Sequence, residues 1–137
     1  MSTRVGVDVQ PVTEVETSLR LFGARYLESV YDESECEYAR SHPRMAAVFL
    51  AGRFAAREAV LKLLEAPDVL SSWKDVRLGG VGPSLKVLLS GEALNIAKSR
   101  GISTIFLSFA TCRDAVTVVA VTDVPARSEN SREGDSY

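Results

Sequence analysis

Cysteine is scarce: Cys36 and Cys112 are the only two, and they stand apart without metal-ligand spacing. No run approaches the roughly 20 apolar residues that a membrane span requires. The first residues, Met1 to Val9, show neither a long apolar stretch nor a small-residue cleavage pattern. These absences predict a soluble protein of a reducing, cytoplasmic compartment, with no membrane partner. Nor does one sign of charge dominate. Sixteen basic residues against 18 acidic ones give a formal net charge of -2, which argues against a general nucleic-acid binder and requires any phosphate site to be local. The chain shows no internal repeat and no glycine-rich P-loop to cradle a nucleotide phosphate. What is present is 137 residues, 46% hydrophobic and 25% charged, enough for one compact core and too few for two ordinary domains. One domain is expected over residues 1–124. A polar tail over 125–137 has almost no apolar content and is predicted to be disordered.

Hydrophobic periodicity orders the chain. Arg4 to Val9 alternates as a strand does, with Val5 and Val7 on one face and Gly6 and Asp8 on the other. Val12, Val15, Leu19 and Phe22 recur at helical steps, which predicts an amphipathic helix over 12–29 that Gly23 interrupts. Asp32 stands three residues before Glu35, the spacing of a capping box, and His42-Pro43 stops the short helix that follows. Residues 45–65 are rich in Ala, Leu and charged helix formers and end just before Pro67, so they predict the longest helix. A short strand at Val76 to Leu78, a turn over Gly79 to Pro83 and a strand from Ser84 to Leu89 come next. Glu92 to Arg100 reads as a helix capped by Gly101, and strands Ser103 to Phe109 and Ala115 to Val121 are expected to pair as an antiparallel hairpin.

Chemistry could reside on the long helix, where Phe54, Glu58 and Lys62 follow one another at four-residue steps and share a stripe flanked by Arg53 and Arg57. A carboxylate, an ammonium and two guanidiniums at such spacing more often form a solvated salt-bridge face than a site. A lone strand aspartate such as Asp8 is likewise more often a turn or capping residue than a ligand.

The two elements gain meaning together. Val5-Gly6-Val7-Asp8, followed some forty residues later by Gly52-Arg53-Phe54-Ala55-Ala56-Arg57-Glu58-Ala59-Val60-Leu61-Lys62, resembles the holo-acyl-carrier-protein synthase family of 4'-phosphopantetheinyl transferases. The likeness runs from about Arg4 to Val121. It implies an α+β fold, a small antiparallel sheet packed on a long helix, assembled as a homotrimer with active sites between subunits. It implies transfer of 4'-phosphopantetheine from coenzyme A to a serine of an apo acyl carrier protein in fatty acid or polyketide synthesis, leaving adenosine 3',5'-bisphosphate. By position, Asp8 and Glu58 match the carboxylates that hold Mg2+ beside the pyrophosphate, a hard cation bound by one or two carboxylates plus phosphate oxygens. Glu58 also matches the group that helps deprotonate the serine, and Lys62 the lysine near the departing phosphate. Arg53, and with it Arg44, match nucleotide-phosphate contacts; Phe54 matches a contact for adenine or ribose; Gly82-Pro83 matches the segment along the pantetheine arm.

Two departures from the family pattern stand out. The stretch Asp8-Val-Gln-Pro-Val-Thr-Glu14 puts Pro11 where it is expected to delay the first helix, and Glu14 where an arginine facing the acidic carrier helix is expected. Such a charge would repel an ordinary carrier, so docking through Arg20 and Arg25, or onto a different carrier, is predicted. Phe106-Leu107-Ser108-Phe109 stands where many relatives carry Ser-Leu-Ser-His, which makes Phe109 a candidate core residue in place of a coenzyme contact. These departures leave an alternative, a catalytically impaired relative that serves as a carrier-binding partner.

Overall fold

Ala and Leu dominate Ala46–Leu64, and the helix they form, α4, is the spine of the structure. Leu50, Leu61, Leu63 and Leu64 are almost fully buried, as are Ala51, Ala55, Ala56 and Ala59. The alanines let neighbouring backbones come close on several sides of the helix, and the leucines fill the remaining space. The computed structural model describes residues 1–80 and 82–125. The polar tail expected over 125–137 therefore lies, beyond Pro125, outside the described residues.

Ahead of α4 come strand β1 (Ser2–Pro11) and helices α1 (Val12–Phe22), α2 (Ala24–Val30) and α3 (Glu33–Ser41). After it come α5 (Val69–Ser72), β2 (Val76–Gly79), β3 (Lys86–Leu89), α6 (Gly91–Ser99), β4 (Phe106–Cys112) and β5 (Ala115–Val124). The strands form two antiparallel sheets, one of three strands in the order β1-β5-β4 and one of two, β2-β3. The larger sheet lies on α4, giving the α+β arrangement of a small antiparallel sheet packed on a long helix.

Register explains how closely sheet and helix meet. Gly6 pairs with Ala120, Asp8 with Val118 and Gln10 with Val116. Gly6, Ala120, Val118, Val116 and Gln10 are all buried. A Cβ on Gly6 would lie 1.9 Å from the Ala59 carbonyl oxygen and 2.8 Å from the Leu63 amide nitrogen, so only glycine permits this contact. Asp8 does point away from Val5 and Val7. The valines face outward, however: Val5, Val7 and Val9 are 54%, 45% and 56% exposed.

Several boundaries differ from the sequence expectation. Residues 12–29 form two helices, because Gly23 sits at φ 51° and its carbonyl starts α2 by accepting from the Tyr26 and Leu27 amides. Pro11 does not delay α1: it ends β1 and acts as the N-cap, and the Val12 N–H donates to the Asp114 carbonyl at 2.7 Å. A strand starting at Ser84 is not formed, since residues 82–84 make a 3-10 turn and pairing with β2 begins at Lys86. The strand expected over 103–109 lies at Phe106–Cys112, where hydrogen bonding to β5 fixes its register through a turn at Arg113-Asp114. Helix α5 and the 3-10 turn Trp73–Asp75 were not anticipated; Asp68 starts them by accepting from the Leu70 and Ser71 amides. The capping box is as expected, with Asp32 accepting from the Glu35 N–H at 2.9 Å and Glu35 accepting from the Asp32 N–H at 3.0 Å.

Candidate active site

The inner face of β1 and one side of α4 bring Asp8, Glu58 and Lys62 together. The Lys62 ammonium donates to Asp8 Oδ1 at 2.9 Å and to the Val7 carbonyl at 3.1 Å. That uses two of its three N–H bonds. Asp8 is 14% exposed and Lys62 51%, so the pair sits at the rim of the sheet, open to a ligand on one side. Burial, and then the charge of Asp8, push the Glu58 carboxyl above the usual glutamate range, while Lys62 pulls it back. Two carboxylates therefore repel each other beside a single ammonium. They are hard oxygen donors with negative charge left over, a set that could hold a small divalent cation together with phosphate oxygens of a substrate. Among the described residues no group of three or more His, Cys, Asp and Glu gathers, so a metal cage made by this chain alone is not formed there.

On another side of α4 lies a cleft of about 620 Å³, walled by Ser34, Glu35 and Tyr38 of α3, by Phe49, Gly52 and Arg53 of α4, and by Leu78, Gly79, Gly80 and Gly82. Phe109 and Thr111 of β4 close it. Tyr38 stacks on His42 and lies 4.1 Å from Phe49 between ring centroids, and the Arg53 guanidinium is 4.9 Å from the Phe49 ring. Arg53 also donates to the Leu78 carbonyl at 3.3 Å. Burial pulls its pKa below the ordinary arginine value, and the group stays a cation on a mostly apolar wall.

Of the residues singled out in the sequence, Arg53 and Gly82 reach this cleft, and the side chain of Pro83 lies outside the described residues. Phe54 goes elsewhere: its ring packs on Trp73 with centroids 4.8 Å apart. Arg44 is exposed in the turn between α3 and α4. Phe109 is no core residue, being 41% exposed over the cleft. Sequence reasoning also missed Tyr38, Phe49 and Thr111, although Phe49 stands one helical turn before Arg53 and could have been placed on the same face. Arg57 does not belong to a solvated salt-bridge face. It is 2% exposed and donates Nη1 to Glu35 Oε2 at 3.0 Å and Nη2 to Glu35 Oε1 at 2.5 Å, with Glu35 itself 1% exposed. A guanidinium within a run of buried alanines, and a second role for the capping-box glutamate, were the signals available.

Known proteins are similar to this chain in sequence and in fold. The family model described as the 4'-phosphopantetheinyl transferase superfamily matches residues 4–114. The holo-[acyl-carrier-protein] synthase of Desulforudis audaxviator is 32% identical over 126 residues, covering 91% of this chain and 95% of that protein. The fatty acid synthase alpha subunit pigJ of Monascus ruber is 34% identical over 124 residues, 89% of this chain, and the chain spans 6% of its length. The Chronobacterium ammoniagenes ACPS–CoA complex has the same fold, with a TM-score of 0.73 at 22% identity over 92% of this chain and 100% of that one. Matched over most of its length at these identities, the chain belongs to the 4'-phosphopantetheinyl transferase superfamily, among the holo-acyl-carrier-protein synthases.

Proposed function

We propose that the protein transfers 4'-phosphopantetheine from coenzyme A to a serine of an apo acyl carrier protein, giving the holo carrier and adenosine 3',5'-bisphosphate. The observation that carries this is the meeting of Asp8, Glu58 and Lys62 at the rim of the sheet, in a chain of this family. Asp8 and Glu58 would hold Mg2+. When bound, the ion offsets charge on the pyrophosphate oxygens. Glu58 takes the proton of the serine hydroxyl as its oxygen bonds to the phosphorus esterified to pantetheine. The bond from that phosphorus to the bridging oxygen breaks, and the electron pair leaves with adenosine 3',5'-bisphosphate. Lys62 steadies the departing phosphate with the N–H that Asp8 and Val7 leave unused. Arg53 binds a phosphate of the nucleotide, and the Gly82 turn runs along the pantetheine arm. Chromatography of a reaction with coenzyme A is the test: adenosine 3',5'-bisphosphate accumulates when an apo carrier is added and does not accumulate without one. Equal release in both reactions marks a nucleotide hydrolase and rejects the transferase.

The site is completed by a second copy. At about 100° per residue, Gly52 and Arg53 lie on a different side of α4 from Glu58, so one chain holds its cleft and its acid pair apart. The outer face of the larger sheet offers the contact. Val5 pairs with Val121 and Val121 with Phe106, itself 64% exposed, and Val7 and Val9 extend this apolar strip. A homotrimer buries such strips and brings the cleft of one chain to the acids of its neighbour. Light scattering is expected to give three times the chain mass; a monomer that is fully active contradicts this.

Glu14 bears on the carrier. It is exposed in the first turn of α1, and its Oε2 accepts from Gln10 Nε2 at 3.1 Å. A fixed negative charge there repels an acidic carrier helix, leaving the exposed Arg20 and Arg25 to attract it. Glu14→Arg is expected to lower the KM for a fatty-acid carrier by about tenfold, the order of one charge pair reversed at an interface rim, with kcat retained. An unchanged KM removes Glu14 from the docking surface. A cytoplasmic location is proposed from the free thiols Cys36 and Cys112; no helix among the described residues is long and apolar enough to cross a membrane.

A further inference from the structure

The buried ion pair of Glu35 with Arg57 lies behind the cleft and takes no part in the steps above. Arg57 is hydrogen-bonded through three nitrogens. Besides its two bonds to Glu35, Nε donates to the Val76 carbonyl at 3.0 Å, and Nη2 lies 3.5 Å from Asp32 Oδ2. One guanidinium on α4 thus ties down the first turn of α3 and the first residue of β2. Both tethered elements are walls of the cleft, α3 through Ser34, Glu35 and Tyr38, and β2 through Leu78 and Gly79, with Gly80 just beyond the strand. Arg53, one turn earlier, holds the same β2 wall through the Leu78 carbonyl. Nothing else among the described side-chain hydrogen bonds joins α3 to α4.

A buried ion pair is a poor way to gain stability, because desolvation of two charges offsets most of their attraction, and well-packed apolar residues of similar size often do as well or better. It is a good way to fix orientation. The planar fork of arginine meets a carboxylate in one geometry, and the third bond, to Val76, sets the angle of the guanidinium against β2. Capping and tethering converge on the same carboxylate, since Glu35 Oε1 accepts both from Arg57 and from the Asp32 N–H. The start of α3 therefore cannot shift without breaking both.

We propose that Glu35 and Arg57 are positioning residues for coenzyme A: their ion pair sets the separation of the α3 and β2 walls, and so the affinity for the nucleotide, without touching the reacting phosphate. This rests on the coenzyme site proposed above, and its effect falls on coenzyme binding. Displacing a binding wall by an ångström is costly even when every contact residue is present.

Calorimetric titration of coenzyme A with Mg2+, alongside melting temperature and steady-state kinetics, separates positioning from support. Arg57→Lys and Glu35→Gln are expected to raise the Kd and KM for coenzyme A by about tenfold, with kcat and the carrier KM within about threefold of the parent. The double variant Glu35→Met/Arg57→Met removes both charges together. It is expected to melt near the parent temperature yet keep the weakened coenzyme binding. A double variant that regains both stability and affinity shows the pair to be ordinary core and overturns the proposal. Should the double variant fail to fold, Arg57→Lys decides: unchanged coenzyme affinity overturns the proposal, and weakened affinity at an unchanged melting temperature sustains it. A parent that binds coenzyme A but transfers nothing counts against the proposed reaction instead, and leaves the binding comparison readable.

Discussion

Glu58→Gln and Asp8→Asn are each expected to reduce transfer by about a thousandfold while the protein stays folded, the scale of losing a metal ligand or an electrostatic stabiliser at a reacting phosphate. Neither side chain supports the core: Asp8 is bound by Lys62 at the rim, and Glu58 meets the charge of Asp8. Glu58 also gives a stability signature of opposite sign. Its carboxyl is raised in the folded protein, so the folded state favours the protonated form. The favourable contribution is full below the unfolded glutamate pKa and is lost as pH rises through the folded one. Glu58→Gln, which cannot ionise, is then expected to be slightly more stable than the parent at pH 7 to 8, by less than about 1 kcal/mol because the group is partly solvated. The advantage should vanish toward pH 4, where the parent carboxyl is itself neutral. Melting curves across this range check it, and a variant less stable than the parent at pH 8 contradicts the like-charge account.

Gly6→Ala is expected to have the largest effect on folding, a loss of at least about 3 kcal/mol, the upper part of the overpacking range. The added Cβ would meet backbone atoms of α4, the Ala59 carbonyl oxygen at 1.9 Å and the Leu63 amide nitrogen at 2.8 Å, and helix backbone cannot step aside as a side chain can. Either β1 lifts from α4 or the helix shifts. Both carry Asp8, two residues further on, away from Glu58, so activity falls with stability. Urea unfolding measures the change. A midpoint equal to that of the parent would mean that strand and helix are not in this contact.

Much of this was legible in the sequence because it depends on local pattern. The uninterrupted Ala and Leu run of α4, the Asp32–Glu35 capping box and the alternation around Asp8 each define an element with no knowledge of its neighbours. The pairing of Asp8 with Glu58 and Lys62 came from resemblance, since fifty intervening residues give no spacing rule. What escaped was tertiary. The alternation put Val5 and Val7 on one face and Gly6 and Asp8 on the other without saying which face the core takes; the side bearing Gly6 is the one buried, because α4 approaches the strand where there is no side chain. Phe54 read as a ligand contact on the Glu58 stripe, yet the chain after α4 brings Trp73 against it. Arg57 read as solvent-facing, yet Glu35 and Val76 meet it from two elements whose docking no periodicity reports.

The measurement that bears most directly on the proposed reaction is intact-mass analysis of apo carrier proteins incubated with this protein, coenzyme A and Mg2+, in parallel with excess chelator. The account predicts that a carrier gains the mass of one phosphopantetheine, that chelator abolishes the gain, and that Asp8→Asn and Glu58→Gln do the same. A gain that persists in chelator or in these variants would contradict the role given to Asp8 and Glu58. No gain on any carrier, with coenzyme A still bound, would mark the protein as a carrier-binding relative that has lost the reaction.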